Sequence, residues 1–352
     1  MTLAISWKII ESIDELITYE SQWKNLANVS PDGFFTSPTW LLEWINVYWQ
    51  KNWQLNVIIG MIDNQLSIFV PLYIQNKTVL GMNQKFLFPL GQGEAESAEV
   101  ASEYQDILVT IKNDDIFAVI ASQIKKLKYD YLSWRAISSQ ANLLKIEKYL
   151  TKTQVTIAGT RYSINNNNPQ KVLVSKNSRY KWNKCKKQLV NCNAHFSWCN
   201  AEQLQYHWRQ LKEMHTQRWN LKNKKGAFSS ILFNIFHQKL IKNGLCKISV
   251  LTIEGKLAAI NYYLVANDCL YFYQSGWIDD YSAFSPGFAL HKWSIENNVL
   301  DCYDFMMGDQ KQSYKNSYSC NEITDMFSLT QANSPIRYWL YKFKNKLISK
   351  FN

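Results

Sequence analysis

Residues Lys247–Val265, KISVLTIEGKLAAINYYLV, read as two apolar strands joined at Glu254-Gly255. Val, Ile, Leu and Tyr crowd both arms, and the Glu-Gly pair suits the tight turn of a hairpin. Upstream, Ser229–Ile241 (SSILFNIFHQKLI) has helical spacing and Gly244 ends it. Downstream, Cys269–Gln274 reads as an aromatic-rich strand, residues 277–286 as a loop, Gly287–Asn298 as a helix and Tyr303–Met307 as a short buried strand. Helix, hairpin, strand, helix and strand in this order predict one mixed α/β sheet flanked by helices.

The same order occurs earlier in the chain. Thr39–Trp49 (TWLLEWINVYW) is helical, with Ser37-Pro38 as cap and first-turn proline. A hairpin follows: Asn56–Ile62, a turn at Asp63-Asn64, and Gln65–Ile74. Gln105–Val109, Ile116–Leu127 and Tyr131–Ala136 then read as strand, helix and strand. Helix and turn are displaced by a matching offset in the two halves, which predicts a tandem duplication. The polar run Asn165–Gln170 divides the halves. The expected domains are therefore 1–164 and 165–330, followed by a tail at 331–352.

Composition bounds the function. At 352 residues the chain exceeds the usual size of one core, and 47% hydrophobic with 14% aromatic residues excludes extended disorder. Apolar runs such as Val57–Ile62 fall far short of the ~20 residues that cross a bilayer. The N-terminal MTLAISWKIIESIDE lacks a basic segment followed by a long apolar one, so a cytoplasmic chain is expected. Seven cysteines without a CxxC read as reduced thiols. A net charge of +11 calls for an anionic partner: a phosphorylated cofactor, nucleic acid, or the inner face of a membrane.

Two strand–loop–helix junctions have the form of a phosphate site. In the first half the loop is Thr110–Asp115, whose Asp114 and Asp115 repel an anion. In the second it is Phe284-Ser285-Pro286-Gly287, where Gly287 lets a ligand approach the backbone. Ser285, Pro286, Gly287 and Phe288 are thus the candidate cofactor-binding residues, with a plain capped helix as the bland alternative.

Several segments carry a family resemblance. Phe35–Trp40 (FTSPTW), Pro71–Tyr73 (PLY), Ser102–Val109 (SEYQDILV), Ser175–Lys187 (SKNSRYKWNKCKK), Met214–Trp219 (MHTQRW), Ser275–Gly287 and Asp304–Lys311 (DFMMGDQK) stand in the order seen in the CelD-like acetyltransferases associated with cellulose biosynthesis. The chain resembles that family, within the GNAT superfamily of acyl-CoA-dependent transferases and related to the Fem-type aminoacyl transferases. Met307 and Gln310 depart from the pattern, where arginine and glutamate are usual, and its tyrosine-lysine pair appears late, as Tyr314-Lys315.

The resemblance implies tandem GNAT-like domains, the first degenerate and the second binding acetyl-CoA or another acyl-CoA, without a metal. It implies transfer of an acyl group to an amine or hydroxyl of a sugar, polysaccharide or envelope precursor. Tyr314 is then the acid for the departing thiolate, and Asp309, with Asp304 second, the base or nucleophile-positioning residue. Read from residues alone, Asp309 is also a turn residue and Tyr314 a packing residue. His215, Arg218 and Trp219 on the helix Gln203–Trp219, with Tyr273 and Lys315, are the expected substrate-binding residues, the alternative being a helix packed on the sheet. His207 and His215 lack a third ligand for a metal.

The basic run Lys176–Lys187 is either a solvated helix face or a contact for a nucleotide sugar, lipid phosphate or tRNA. Fem-type enzymes carry a long helical arm, whereas only Ala201–Leu221 is long and helical here; this favours a CoA thioester over tRNA, and DNA is not an expected partner. The tail Pro335–Phe351 is a basic amphipathic helix, which either docks on its own domain or touches an anionic membrane weakly. An aminoacyl-tRNA-dependent transferase and an inactive scaffold in polysaccharide or lipid assembly are the alternative functions.

Overall fold

The computed structural model describes residues 4–79, 81–165, 172–220, 226–308, 314–334, 336 and 339. Of the expected linker Asn165–Gln170 only Asn165 lies among them, at the end of a strand, and nearly all of the expected tail helix falls outside them. Two compact units form, one from residues 1–95, 99–158 and 325–352, the other from 96–98 and 159–324. The division thus falls between 158 and 159, inside a strand, and the residues from Asp325 group with the first unit.

The first unit runs β1 (Ser6–Ile10), α1 (Ile13–Thr18), α2 (Glu20–Asn28), α3 (Pro38–Tyr48), β2 (Trp53–Leu55), β3 (Val57–Ile62), β4 (Gln65–Val70), β5 (Leu72–Val79), β6 (Met82–Pro89), β7 (Leu108–Val109), α4 (Asp114–Lys126), β8 (Tyr131–Ser138) and α5 (Leu143–Ile146). Strand β9 (Thr153–Asn165) leads into the second unit, which holds α6 (Lys176–Asn191), β10 (His195–Trp198), α7 (Leu204–Asn220), α8 (Ile231–Lys242), β11 (Cys246–Ile253), β12 (Lys256–Ala266), β13 (Cys269–Trp277), α9 (Pro286–Glu296) and β14 (Cys302–Gly308). Strand β15 (Glu322–Ala332) returns to the first unit.

Both expected hairpins form. Asp63 and Asn64 turn at φ 49° and 61°, and Glu254 and Gly255 at 53° and 76°, the paired positive φ values of a type I′ turn. Pro71 ends β4, so the single strand expected over Gln65–Ile74 becomes β4 and the start of a second hairpin, β5–β6. In the first unit β1, β3, β4 and β7 make an antiparallel sheet. A second set pairs β2–β5–β6 antiparallel, β6–β8 parallel and β8–β15 antiparallel. Helix α4 buries Ile116, Phe117, Ile120, Ala121 and Ile124 against this sheet core, the i, i+4 stripe its sequence spacing demands.

In the second unit the order is β10–β11–β12–β13–β14–β9. Of these pairs β13–β14 is parallel and the others are antiparallel. Helix α9 lies over β11, β12 and β13. Cys269 and Cys302 join the first residues of β13 and β14 as a disulfide, which corrects the expectation that all seven cysteines are thiols. The other five are free, Cys185, Cys192 and Cys199 among them.

Candidate functional site

The parallel pairing of β13 and β14 lasts for Cys269↔Cys302, Leu270↔Tyr303 and Tyr271↔Asp304, and then the strands part. Buried polar groups of β14 produce the divergence. Asp304 is fully buried, ion-paired with Arg161 at 2.7 and 2.9 Å, and accepts the Met306 amide at 2.6 Å. Met306 has a left-handed backbone, φ 59°, and the β14–β9 register slips between Asp304 and Met307. Lys315 is also buried; its Nζ donates to the carbonyls of Phe305, Met306 and Met307 at 2.7, 2.8 and 2.8 Å. Three hydrogen bonds thus run from that ammonium to the bent strand.

A cavity of about 560 Å³ lies beside β13, along the residues beyond its pairing with β14. Phe272, Tyr273, Gln274, Ser275 and Trp277 of β13 form one wall. Here the pairing with β12 shifts from Tyr262↔Gln274 to Tyr263↔Phe272, a bulge centred on Tyr273. Ser282, Ser285 and the first turn of α9, Pro286, Gly287 and Phe288, form another, with His291 one turn further along. Tyr314, Ser317 and Tyr318 close the floor, and Lys181 and Arg218 are the cations at the lining.

The start of α9 differs from that of α4 in its acids, as the sequences foretold, but Ser285, which the sequence offers as a cap, does not cap it with its side chain. Asn113 caps α4 by accepting the Ile116 amide, and Asp114 and Asp115 follow in its first turn. Ser285 takes a left-handed backbone, φ 48°, makes no cap hydrogen bond, and no acid lies in the first turn of α9. The α9 amides therefore present a partial positive charge at the cavity. Lys181 stands 4.8 Å from the Phe288 ring and Arg218 3.6 Å from the Trp277 ring, each carried on an aromatic face.

The expected site residues divide accordingly. Ser285, Pro286, Gly287, Phe288, Arg218, Tyr273 and Tyr314 meet at the cavity. Asp304, Lys315, His215 and Trp219 do not line it. Asp304 and Lys315 are spent on shaping β14, as above. The buried His215 accepts the Trp219 indole N–H at 2.9 Å, and burial with nearby Arg218 pushes its pKa down to about 4, so it fastens the end of α7 as a neutral ring. Asp309 and Gln310 lie outside the described residues. Burial raises the pKa of Tyr314, although half of the residue's surface remains exposed, so it stays a protonated phenol at neutral pH.

Sequence reading missed Lys181, Trp277, His291 and Tyr318. His291 was findable: it follows Gly287 by four residues, hence shares its helix face. One cluster of metal-type donors occurs among the described residues, Cys269, Cys302 and Asp304. Its sulfurs are bonded to each other and its carboxylate is held by Arg161, so the donors are engaged.

Residues 174–316, most of the second unit, match the family model of an acetyltransferase (GNAT) domain. No curated protein sequence matches the chain. Among solved structures, FemX is similar with a TM-score of 0.64 at 10% identity, over 91% of this chain and 98% of that one. The C-terminal domain of a protein described as a lysylphosphatidylglycerol synthetase from Agrobacterium fabrum gives 0.55 at 8% identity, over 94% and 96%. A conserved protein from Bacteroides thetaiotaomicron gives 0.51 at 13%, over 93% and 100%. At these identities the likeness is one of fold. No helix among the described residues is long and apolar enough to cross a membrane.

Proposed function

We propose that the second unit, a GNAT-type acyltransferase domain, moves an acyl group from a CoA thioester to an amine or hydroxyl acceptor. The observation that carries this reading is the α9 start, without a side-chain cap and free of acids in its first turn, opening with Lys181 and Arg218 onto the cavity beside β13. A pyrophosphate fits that end of the helix, where amide dipoles and two cations favour negative charge. The thioester then lies along β13, beside the bulge at Tyr273.

In the transfer, the acceptor's nitrogen or oxygen bonds to the carbonyl carbon and the carbon–sulfur bond breaks. The acceptor loses a proton and the thiolate gains one. Tyr314, protonated at neutral pH, is the acid on the cavity floor. Asp309 is proposed as base by family resemblance. Resemblance to the CelD-like enzymes further suggests a sugar, polysaccharide or envelope precursor as acceptor.

A second reading has its own support. Lys176, Lys184, Lys186 and Lys187 are exposed on α6, the helix that sends Lys181 to the cavity, a basic face suited to a polyanion. That favours an aminoacyl-tRNA donor, as in Fem-type transfer. Thermal shift separates the two. Acetyl-CoA is expected to raise the melting temperature and uncharged tRNA to leave it unchanged; a shift with tRNA alone, or none with any CoA ester, would overturn the CoA reading. Thiol release with a panel of amino sugars and polyols then identifies the acceptor.

A further inference from the structure

His291 lines the cavity, yet it also begins a chain of hydroxyls that runs into the core. Its Nδ1 lies 2.7 Å from the Tyr303 hydroxyl. Tyr303 donates to the Tyr263 hydroxyl at 3.3 Å, and Tyr263 is 3.3 Å from Ser249 Oγ. Asn261 Nδ2 donates to Tyr263 at 3.1 Å and Ser294 to Ser249 at 2.9 Å. Tyr303, Tyr263, Ser249, Asn261 and Ser294 are all essentially sealed from solvent.

A phenol has one hydrogen. Tyr303 spends it on Tyr263, so toward His291 it can only accept. With that assignment Nδ1 carries the imidazole hydrogen, and Nε2 keeps its lone pair. Phe272 stands against the ring at 4.4 Å, with Phe305 and Tyr314 at 5.2 and 5.5 Å, so the ring is clamped as well as tethered.

We infer that His291 Nε2 is a fixed hydrogen-bond acceptor facing the cavity, which accepts a hydrogen bond from the acceptor substrate's neutral amine, an uncharged N–H whose other hydrogen is left for the base that removes it. The inference rests on the acyl-transfer reading above for what the ligand is, and on the hydroxyl chain alone for what the histidine offers. No bond is made or broken at the ring; it orients the nucleophile's lone pair toward the thioester. Burial, with the Lys315 ammonium nearby, pushes the His291 pKa down to about 3, so the ring stays neutral and keeps accepting. Lys315 is the charged group acting on it, Lys181 and Arg218 are the other cations at the cavity it lines, and the phenols of Tyr303, Tyr314 and Tyr318 are its titratable neighbours.

Two arms test this. In the full chain labelled with 15N-histidine, the ring signals that vanish in His291→Phe belong to His291. They are expected to show the Nδ1–H tautomer, without protonation down to about pH 5. The Nε2–H tautomer, or protonation near pH 6.5, would overturn the inference. Tyr303→Phe is expected to bring in the Nε2–H form; an unchanged tautomer would show that the chain does not set it. In the second arm, His291→Phe is expected to lower kcat/KM for the acceptor roughly tenfold, the worth of one hydrogen bond, with acyl-CoA binding unchanged. His291→Gln, whose Oε1 can accept in place of Nε2, is expected to recover part of it. Equal loss in both variants, or loss of acyl-CoA binding in either, counts against a role toward the nucleophile. If the unaltered protein releases no thiol with any acceptor, the acyl-transfer reading fails, while the tautomer still decides what His291 offers.

Discussion

The Lys315 ammonium lies 2.8 Å from the carbonyl oxygen of Met306, the one residue of β14 with a left-handed backbone. A buried cation therefore holds that bend, and its chain neighbour Tyr314 lines the cavity. Lys315→Met is expected to leave the carbonyls of Phe305, Met306 and Met307 without their donor, at about 1–3 kcal/mol for each one that stays dry. A fall in the urea midpoint together with a loss of CoA-ester affinity is the expected outcome. Full stability with a raised KM for the acceptor alone would instead make Lys315 a substrate contact.

Arg161 and Asp304 stabilise the same bend from the other side. Removing one partner strands a charge in the core, so Asp304→Ala is expected to cost about 3–5 kcal/mol in chemical denaturation. If Asp304 were instead a base at the reacting atoms, the variant would fold normally and lose turnover only.

Gly287 tests the phosphate site without disturbing the fold. A Cβ there would meet Trp277 at 3.7 Å, an ordinary contact, so side chains are tolerated. Gly287→Asp puts a carboxylate in the first turn of α9, as Asp114 and Asp115 do in α4. Helix electrostatics predict unchanged or slightly higher stability, by about 0.3–1 kcal/mol. Affinity for CoA esters is expected to drop roughly tenfold by calorimetry, from charge repulsion at the pyrophosphate.

Glu94 in the first unit gives a pH dependence. One carboxyl oxygen accepts the Val100 amide at 3.0 Å; the other, Oε2, is sealed from solvent with no partner. Burial pushes its pKa up to about 7, above the 4.5 of the free side chain. The folded state thus holds a proton that the unfolded state has released between these values, and stability falls as pH rises from about 4.5 to 7. The loss attributable to Glu94 is about 3 kcal/mol. Glu94→Gln is expected to flatten that part of the stability–pH curve and to stabilise the protein at pH 8. A parallel curve for the variant would reject the assignment.

Thiol titration of the denatured, unreduced chain is expected to find the five free cysteines, and seven after reduction. Seven before reduction would show Cys269 and Cys302 unbonded.

The legible parts of this molecule were local. Asp63-Asn64 and Glu254-Gly255 announced their turns because a positive φ is set by the residues in the turn itself. Ser285–Phe288 announced the cavity because strand, loop and helix start are contiguous in sequence. The pairing of Asp304 was not legible because its partner, Arg161, lies 143 residues away, and nothing near Asp304 signals it. Lys315 binds backbone carbonyls, which no side-chain pattern reveals. His291 sits in an apolar helix segment, and its chemistry depends on hydroxyls brought in by β11, β12 and β14. Strands β9 and β15 were not foreseen, since their mixed sequences, TQVTIAGTRYSIN and EITDMFSLTQA, hold no apolar run.

The Cys269–Cys302 bond has a topological meaning. It ties together two points 33 residues apart, and the segment between them carries most of β13 and all of α9. Two walls of the cavity are therefore drawn from a covalent ring. Such a ring removes about 3–4 kcal/mol of chain entropy from the unfolded ensemble on the loop-closure account. A denatured chain with the bond intact keeps those walls on a short tether, so refolding starts with the site's parts already confined near one another.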